Sequence, residues 1–451
     1  MRGLRSTIVL IVVLAGLGAY IYFYLMKQPE KSESSGPPKQ KVFATLSADK
    51  IDELKIRSAS GDVTTLKRGT DGWQITDPIQ AKADESEVSG ITSNLTTVET
   101  QRVVEENPSS LKDFGLDPPH ADVAFKTVGE KDYRHLLVGD KTTTSVDMYA
   151  KTGTDKRVIL IPSFTDGTFN RSTFDLRDKT ALKFDRDKVD GIVVTADGKT
   201  LQLAKDGGDW KITKPIQVPA DFGSVEGLIG RLQTLQMKSI ATNDASPDDL
   251  KKDGLDKPQA SATLVTGSAR ATIDIGGASD DALYAKDASK PTVMTVEKAI
   301  LDDLKKGADD YRRKDVFAFR AFNATRFEIT RDGNTVVFEK AKTGTGANAP
   351  EQWKRVSPNP GNVDKDKMDA MLTRWANMRA ASFVESTAKT GLDKPAAVVV
   401  VRFEDGKNEE RVTFGKADND VYAARPGEPG AAKIDATDFD MAFKGVDEIA
   451  K

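Results

Sequence analysis

Alternation of apolar and polar positions dominates the chain, and it comes in three matching blocks. The stretches "IDELKIRSASGDVTTLKR" (51–68), "VDGIVVTADGKTLQLAK" (189–205) and "ATRFEITRDGNTVVFEK" (324–340) each hold two period-two runs around a Gly turn. That is the pattern of a β-hairpin with one buried face. A third strand follows, carrying Trp73, Trp210 or Trp353. A proline five residues later, in "WQITDP", "WKITKP" and "WKRVSP", ends its ladder, since proline has no N–H to donate. The period then changes from two to a helical one. Val88, Ile91, Leu95 and Val98 form one stripe, Val225, Leu228, Ile229, Leu232 and Leu235 a second, and Met368, Met371, Leu372, Trp375 and Met378 a third. Each stripe opens fifteen residues after its tryptophan, which predicts one amphipathic helix packed on one sheet.

A pentapeptide marks the next step. "GLDPP" stands at 115–119 and "GLDKP" at 254–258 and 391–395, spaced by 139 and 137 residues. In the first two copies Asn107 or Ser246 is expected to cap a short helical turn, with Pro108 or Pro247 in its first position. Gly115, Gly254 and Gly391 suit a left-handed close of that turn. Leu116, Leu255 and Leu392 are expected to plug the core, and the proline then commits the chain to the strands "ADVAFKT", "ASATLVT" and "AVVVVRF". The third copy lacks the leading proline, so its turn should be shorter, and it carries an eight-residue insertion around "TGTGANAP". Tyr149, Tyr284 and Tyr422 occupy matching places in "MYAK", "LYAK" and "VYAA". A catalytic centre is seldom written three times, so these repeated Trp, Gly, Leu and Tyr residues are fold markers.

A period near 137 residues means three globular domains and not a solenoid. The expected repeats are 43–179, 180–315 and 316–451, each α+β, with a mainly antiparallel sheet, one packed helix and short helical turns. The joins "FDLRDKTALKF" and "YRRKDVFAF" have no Gly/Pro/Ser-rich stretch, so neighbours are expected to abut. Ahead of the repeats, residues 1–6 form a short basic head with Arg2 and Arg5. Residues 7–26 carry no charge, and about 20 helical residues cross the roughly 30 Å hydrocarbon core. Tyr20, Tyr22, Phe23 and Tyr24 crowd one end, where amphipathic rings sit at the lipid–water boundary. No small-residue cleavage site follows, so the segment reads as an uncleaved transmembrane anchor. Residues 27–42 read as a polar Pro/Ser-rich linker. Lys27, Lys31, Lys39 and Lys41 balance the basic head, but its position before an apolar run has the form of an export signal. The head is therefore expected in the cytoplasm and the repeats outside it.

Charge and composition narrow the chemistry. With 66 basic and 69 acidic residues, a net charge of −3 and no basic stripe, nucleic acid is not an expected partner. The absence of cysteine excludes disulfides, thiolate zinc sites and a Cys nucleophile. The two histidines, His120 and His135, have no sharp Gly-x-Ser-x-Gly turn beside them. "GGASDD" (276–281) and "GKADND" (415–420) gather acids after a strand, but they lack the spacing of a Ca²⁺ loop and read as solvated turns. Neither a GxxxxGK[ST] loop nor a GxGxxG turn occurs. The expectation is therefore no catalytic, cofactor-binding or metal-ligating residues.

An N-terminal anchor followed by WxxxxP and GLDxP repeats resembles the bacterial domain-of-unknown-function 4340 family, over essentially all of the chain after the linker. The resemblance implies a single-pass inner-membrane protein with periplasmic domains. Such proteins are often encoded beside ABC-type export permeases and gliding-motility-like auxiliary proteins. The reading is a non-enzymatic accessory or binding protein whose partners are the membrane, through 7–26, and a membrane protein such as an ABC-type permease. Two alternatives stand beside it: an envelope glycan or peptide hydrolase using carboxylates, and a structural spacer.

Overall fold

The computed structural model describes residues 39–153, 155–342 and 351–450. The anchor at 7–26, most of the linker and the "TGTGANAP" insertion lie outside them. Among the described residues no helix is long and apolar enough to cross a membrane. The chain divides into two compact units, 1–178 and 179–451, the second holding two of the three sheets.

Each repeat is one nine-stranded antiparallel sheet. In the first, the strands are β1 (Ile51–Arg57), β2 (Val63–Gly69), β3 (Gly72–Asp77), β4 (Ala81–Lys82), β5 (Arg102–Glu105), β6 (Ala121–Thr127), β7 (Arg134–Lys141), β8 (Asp147–Thr152) and β9 (Val158–Pro162). Their spatial order is β4-β3-β2-β1-β6-β7-β8-β9-β5. Two meanders thus meet at the β1–β6 pair, and the chain crosses the sheet between β4 and β5. The other two repeats follow the same order. Apolar residues face each other across the central pair: Leu54 and Phe125, Ile192 and Leu264, Phe327 and Val401.

The crossing segment is the predicted helix: α1 (Glu85–Thr97), α2 (Phe222–Gln233) and α3 (Lys365–Ala376). Each starts at an aspartate eleven residues after the marker tryptophan, a repeat the hydrophobic pattern could not reveal. Asp84 accepts from the N–H of Ser86 and Glu87, Asp221 from that of Ser224, and Asp364 from that of Lys367. Such a cap is worth about 1 kcal/mol. Val88, Ile91 and Leu95 pack into one cluster with Leu54, Ile56, Phe125 and Val138. Met368, Met371, Leu372 and Trp375 do the same in the third repeat. The Met stripe is core.

The pentapeptide turn has a repeated counterpart on the strand it covers. Gly115, Gly254 and Gly391 have φ of 64°, 70° and 71°, the left-handed close expected of them. The turn presses on Gly139, Gly276 and Gly415, where a Cβ would collide with the carbonyl oxygens of Phe114, Asp253 and Thr390. Leu116 and Leu255 are buried beside these glycines, whereas Leu392 is half-buried. Ser246 caps a helix at Pro247–Lys252 with a reciprocal bond to Asp249.

Three expectations need correction. Asn107 caps no helix, because the first copy forms only a 3₁₀ turn, Lys112–Phe114, five residues further on. Leu392 is not a full plug, because the third turn contains no helical segment to drive it inward. The third repeat has a second long helix, α4 (Ala436–Ala450), where the other two make only short turns.

Candidate functional site

The fold markers sit where packing needs them. Trp73, Trp210 and Trp353 are buried on the third strand of their sheets. Tyr149, Tyr284 and Tyr422 are half-buried on the face opposite the helix. Tyr149 packs edge-on against Phe114 at 5.1 Å, and the Tyr422 hydroxyl donates to Asp420. These residues do not converge on any one place.

Both histidines lie in the first repeat. His135 Nδ1 is 2.9 Å from Asp122 Oδ1, while His120 Nε2 is 3.3 Å from the Asn170 amide and 3.8 Å from Asp166. A Ser–His or Cys–His pair puts a hydroxyl or thiol at the imidazole, whereas these rings meet carboxylate and amide groups. Beside them, the Tyr133 hydroxyl donates to Glu53; burial first, then this carboxylate, pushes its pKa up to about 12. The acidic turns are held by lysines: Asp281 by Lys238 at 2.7 Å, and Asp420 by Lys433 at 2.8 Å. Among the described residues no three His, Cys, Asp or Glu side chains cluster as metal ligands would.

What distinguishes one repeat from another is the cover of its helix. In the third, α4 lies along α3; Phe443 meets Trp375 edge-on at 5.3 Å, and Gly445 lets α4 approach Met371. In the first, the turns at Asp166–Phe169 and Thr173–Leu176 cover α1 with Phe169 and Leu176, and Arg171 pairs with Glu87 at 2.9 Å. In the second, the corresponding turns at Ala299–Leu304 and Ala308–Tyr311 leave a groove of about 370 Å³. Its wall on α2 is Ser224, Gly227, Leu228 and Arg231; Asp303, Lys306, Asp310 and Tyr311 face them.

The groove's charges satisfy one another. Arg231 bonds Glu297 at 2.8 Å and Asp303 at 2.9 Å, and Lys306 bonds the other Asp303 oxygen at 2.8 Å. Burial alone would raise the Asp303 pKa, but the hydrogen bonds from Lys306 and Arg231 outweigh it and hold the carboxyl below its ordinary value. Burial also pushes the Tyr311 phenol up. Both shifts move these groups away from neutrality. A Cβ at Gly227 would meet nothing within 4 Å, as at Gly90, which holds the same place in α1. With Gly223 and Gly230 also in α2, the helix gives up about 2–3 kcal/mol relative to alanine. A local rule broken at an open surface is where function is sought.

A second device joins the second and third repeats. Arg313 N donates to Pro219 O at 3.0 Å, Val316 N to Met378 O at 2.9 Å, and Ala380 N to Lys314 O at 2.7 Å, so the joining segment is bonded to both neighbours. The Arg312 guanidinium is buried over the Phe383 ring at 4.2 Å and donates to Glu428 at 3.1 Å and Pro429 O at 3.2 Å. Arg425 bonds Glu428 at 3.2 Å and Asp315 O at 3.1 Å. Burial, with Arg313 and Arg312 nearby, lowers the Arg425 pKa despite Glu428. Arg177 holds the position of Arg312 at the end of the first repeat, pairing with Ala83 as Arg312 does with Ala220.

The family described as "Domain of unknown function (DUF4340)" matches residues 73–211, 210–395 and 353–450, and each segment opens on a marker tryptophan. The chain belongs to the DUF4340 family. Among curated proteins none matches it. A DNA polymerase sliding clamp from Pseudomonas aeruginosa aligns over 87% of this chain and 93% of its own, at 9% identity and a TM-score of 0.16. A putative DNA polymerase III beta subunit from Eubacterium rectale aligns over 87% and 92%, at 7% identity and a TM-score of 0.15. Scores this low support no conclusion about fold or function for this DUF4340 member.

Proposed function

We propose that this DUF4340 protein is a non-enzymatic, single-pass inner-membrane protein whose three repeats stand outside the cytoplasm as an accessory to a membrane complex. Its partner is a membrane protein of the ABC-type export permease class. The groove on α2 carries the reading: the turns over α1 and the helix α4 over α3 close their helices, whereas the turns at Ala299–Leu304 and Ala308–Tyr311 leave a groove beside α2. The partner presents a short amphipathic helix, seated as α4 is seated on α3. The uncharged run at 7–26 supplies the anchor.

The joint at Arg312 favours a second reading, a rigid spacer, because it bonds two repeats to each other. One experiment addresses the topology on which both depend. A reporter fused after Lys451 is expected to be active only outside the cytoplasm; cytoplasmic signal overturns the placement. Purification of the full-length protein from membranes then separates the readings. A permease that co-purifies reproducibly supports the accessory role, and its absence leaves the spacer.

A further inference from the structure

In the first repeat, the ribbon formed by Gln40–Lys41 and Glu99–Thr100 borders a second groove, of about 390 Å³. Lys39, Lys41, Arg102 and Arg157 line it, with a single acid, Asp155. Asp155 is already engaged by Arg157, Nε at 2.8 Å and Nη2 at 2.6 Å. Glu106 also bears on Arg157, and Glu99 stands opposite Lys41 on the ribbon, so the positive excess that remains is that of Lys39 and Arg102. Gln40 adds an amide to the lining, while the Gln101 amide donates to the Glu99 carbonyl at 3.3 Å.

The position of this groove along the chain decides its ligand. Twelve residues, 27–38, separate it from the end of the uncharged run. No chain of that length can span more than roughly 43 Å. The groove therefore lies within roughly 43 Å of the lipid surface, and can reach it, wherever the run at 7–26 spans the bilayer. We infer that it binds the phosphate of an anionic phospholipid headgroup, docking the first repeat on the membrane. This rests on the anchor reading of 7–26 but not on the partner groove in the second repeat. Each basic side chain near an anionic surface contributes on the order of a fivefold gain in binding, and the effect fades as salt shortens the screening length.

The test uses the full-length protein in phosphatidylcholine nanodiscs with and without phosphatidylglycerol. Pulse acetylation read by mass spectrometry reports the accessibility of Lys39 and Lys41, with Lys407 of the third repeat as internal standard. Phosphatidylglycerol is expected to slow acetylation of Lys39 and Lys41 several-fold, 0.5 M salt to abolish the difference, and Arg102→Gln to halve it or more. Equal rates in both discs overturn the inference. Protection by inorganic phosphate in phosphatidylcholine discs, equal to that by phosphatidylglycerol, overturns the lipid assignment in favour of a soluble anion. Carbonate extraction of native membranes reads the anchor separately: release of the protein sinks the anchor reading and the lipid docking with it.

Discussion

Consider a methyl group added at Gly276. Its Cβ would lie 2.9 Å from Leu255 Cγ and collide with the Asp253 carbonyl oxygen, where real Cβ atoms essentially never come closer than 3.0 Å. The oxygen belongs to backbone, so the pentapeptide turn must move as a body. Overpacking of this kind costs about 1–3 kcal/mol. If Leu255 leaves its buried seat, part of a further 2–5 kcal/mol is lost as well. The expected destabilisation of Gly276→Ala is thus about 3 kcal/mol. Gly227→Ala in the same repeat is its control: with nothing within 4 Å, it should gain about 1 kcal/mol from helix propensity. Two identical chemical changes are expected to differ by about 4 kcal/mol in opposite directions. Hydrogen exchange of the full-length protein, followed on peptides from the strand Ala260–Thr266, reads both. Gly276→Ala within about 0.5 kcal/mol of the parent would refute the claim that GLDxP is a packed structural turn.

Further outcomes follow from the joint and the turns. Arg312→Ala should weaken the second-to-third repeat joint by about 2–4 kcal/mol, less than the full cost of orphaning a buried charge because Arg425 still holds Glu428; faster exchange at Ala431–Ile434 checks this, and Arg312→Lys should not rescue the stacking. At Asp287, burial is outweighed by hydrogen bonds from Lys290 and Ser289, so its folded pKa lies below 3.8. That turn's stability is therefore complete above the unfolded value and lost progressively as pH falls through the lower folded one; protection at 287–290 should begin to fall between about pH 5 and pH 3, and Asp287→Asn should remove this pH dependence. Gly227→Leu should fill the α2 groove while leaving thermal unfolding within a few degrees of the parent.

The repeat, the helix stripes and the left-handed glycines were legible because each is local: period, spacing and φ preference are written in adjacent letters. The partner of the pentapeptide was not, since Gly139, Gly276 and Gly415 follow more than twenty residues later and matter only through contact. Asp84, Asp221 and Asp364 did leave a signal, an aspartate at a constant offset from each tryptophan, which the hydrophobic pattern passes over. Arg312 was hidden for another reason. Its join was readable as tight because it lacks Gly and Pro, but a buried guanidinium over Phe383 depends on a turn more than a hundred residues away. The α2 groove becomes visible only by setting the three helices side by side, where three glycines stand in the middle one. The last helix of the third copy did leave a local signal, since Phe439, Ala442, Phe443 and Val446 stand at helical spacing over the fifteen residues it spans.

The most direct measurement places a photo-crosslinking phenylalanine at Phe222, the exposed first residue of α2, in the full-length protein in living cells. The account requires a reproducible crosslink to an integral-membrane permease that disappears in the Gly227→Leu background. Crosslinks only to a second copy of the chain or to cell-wall material, or a permease crosslink indifferent to Gly227→Leu, would contradict it.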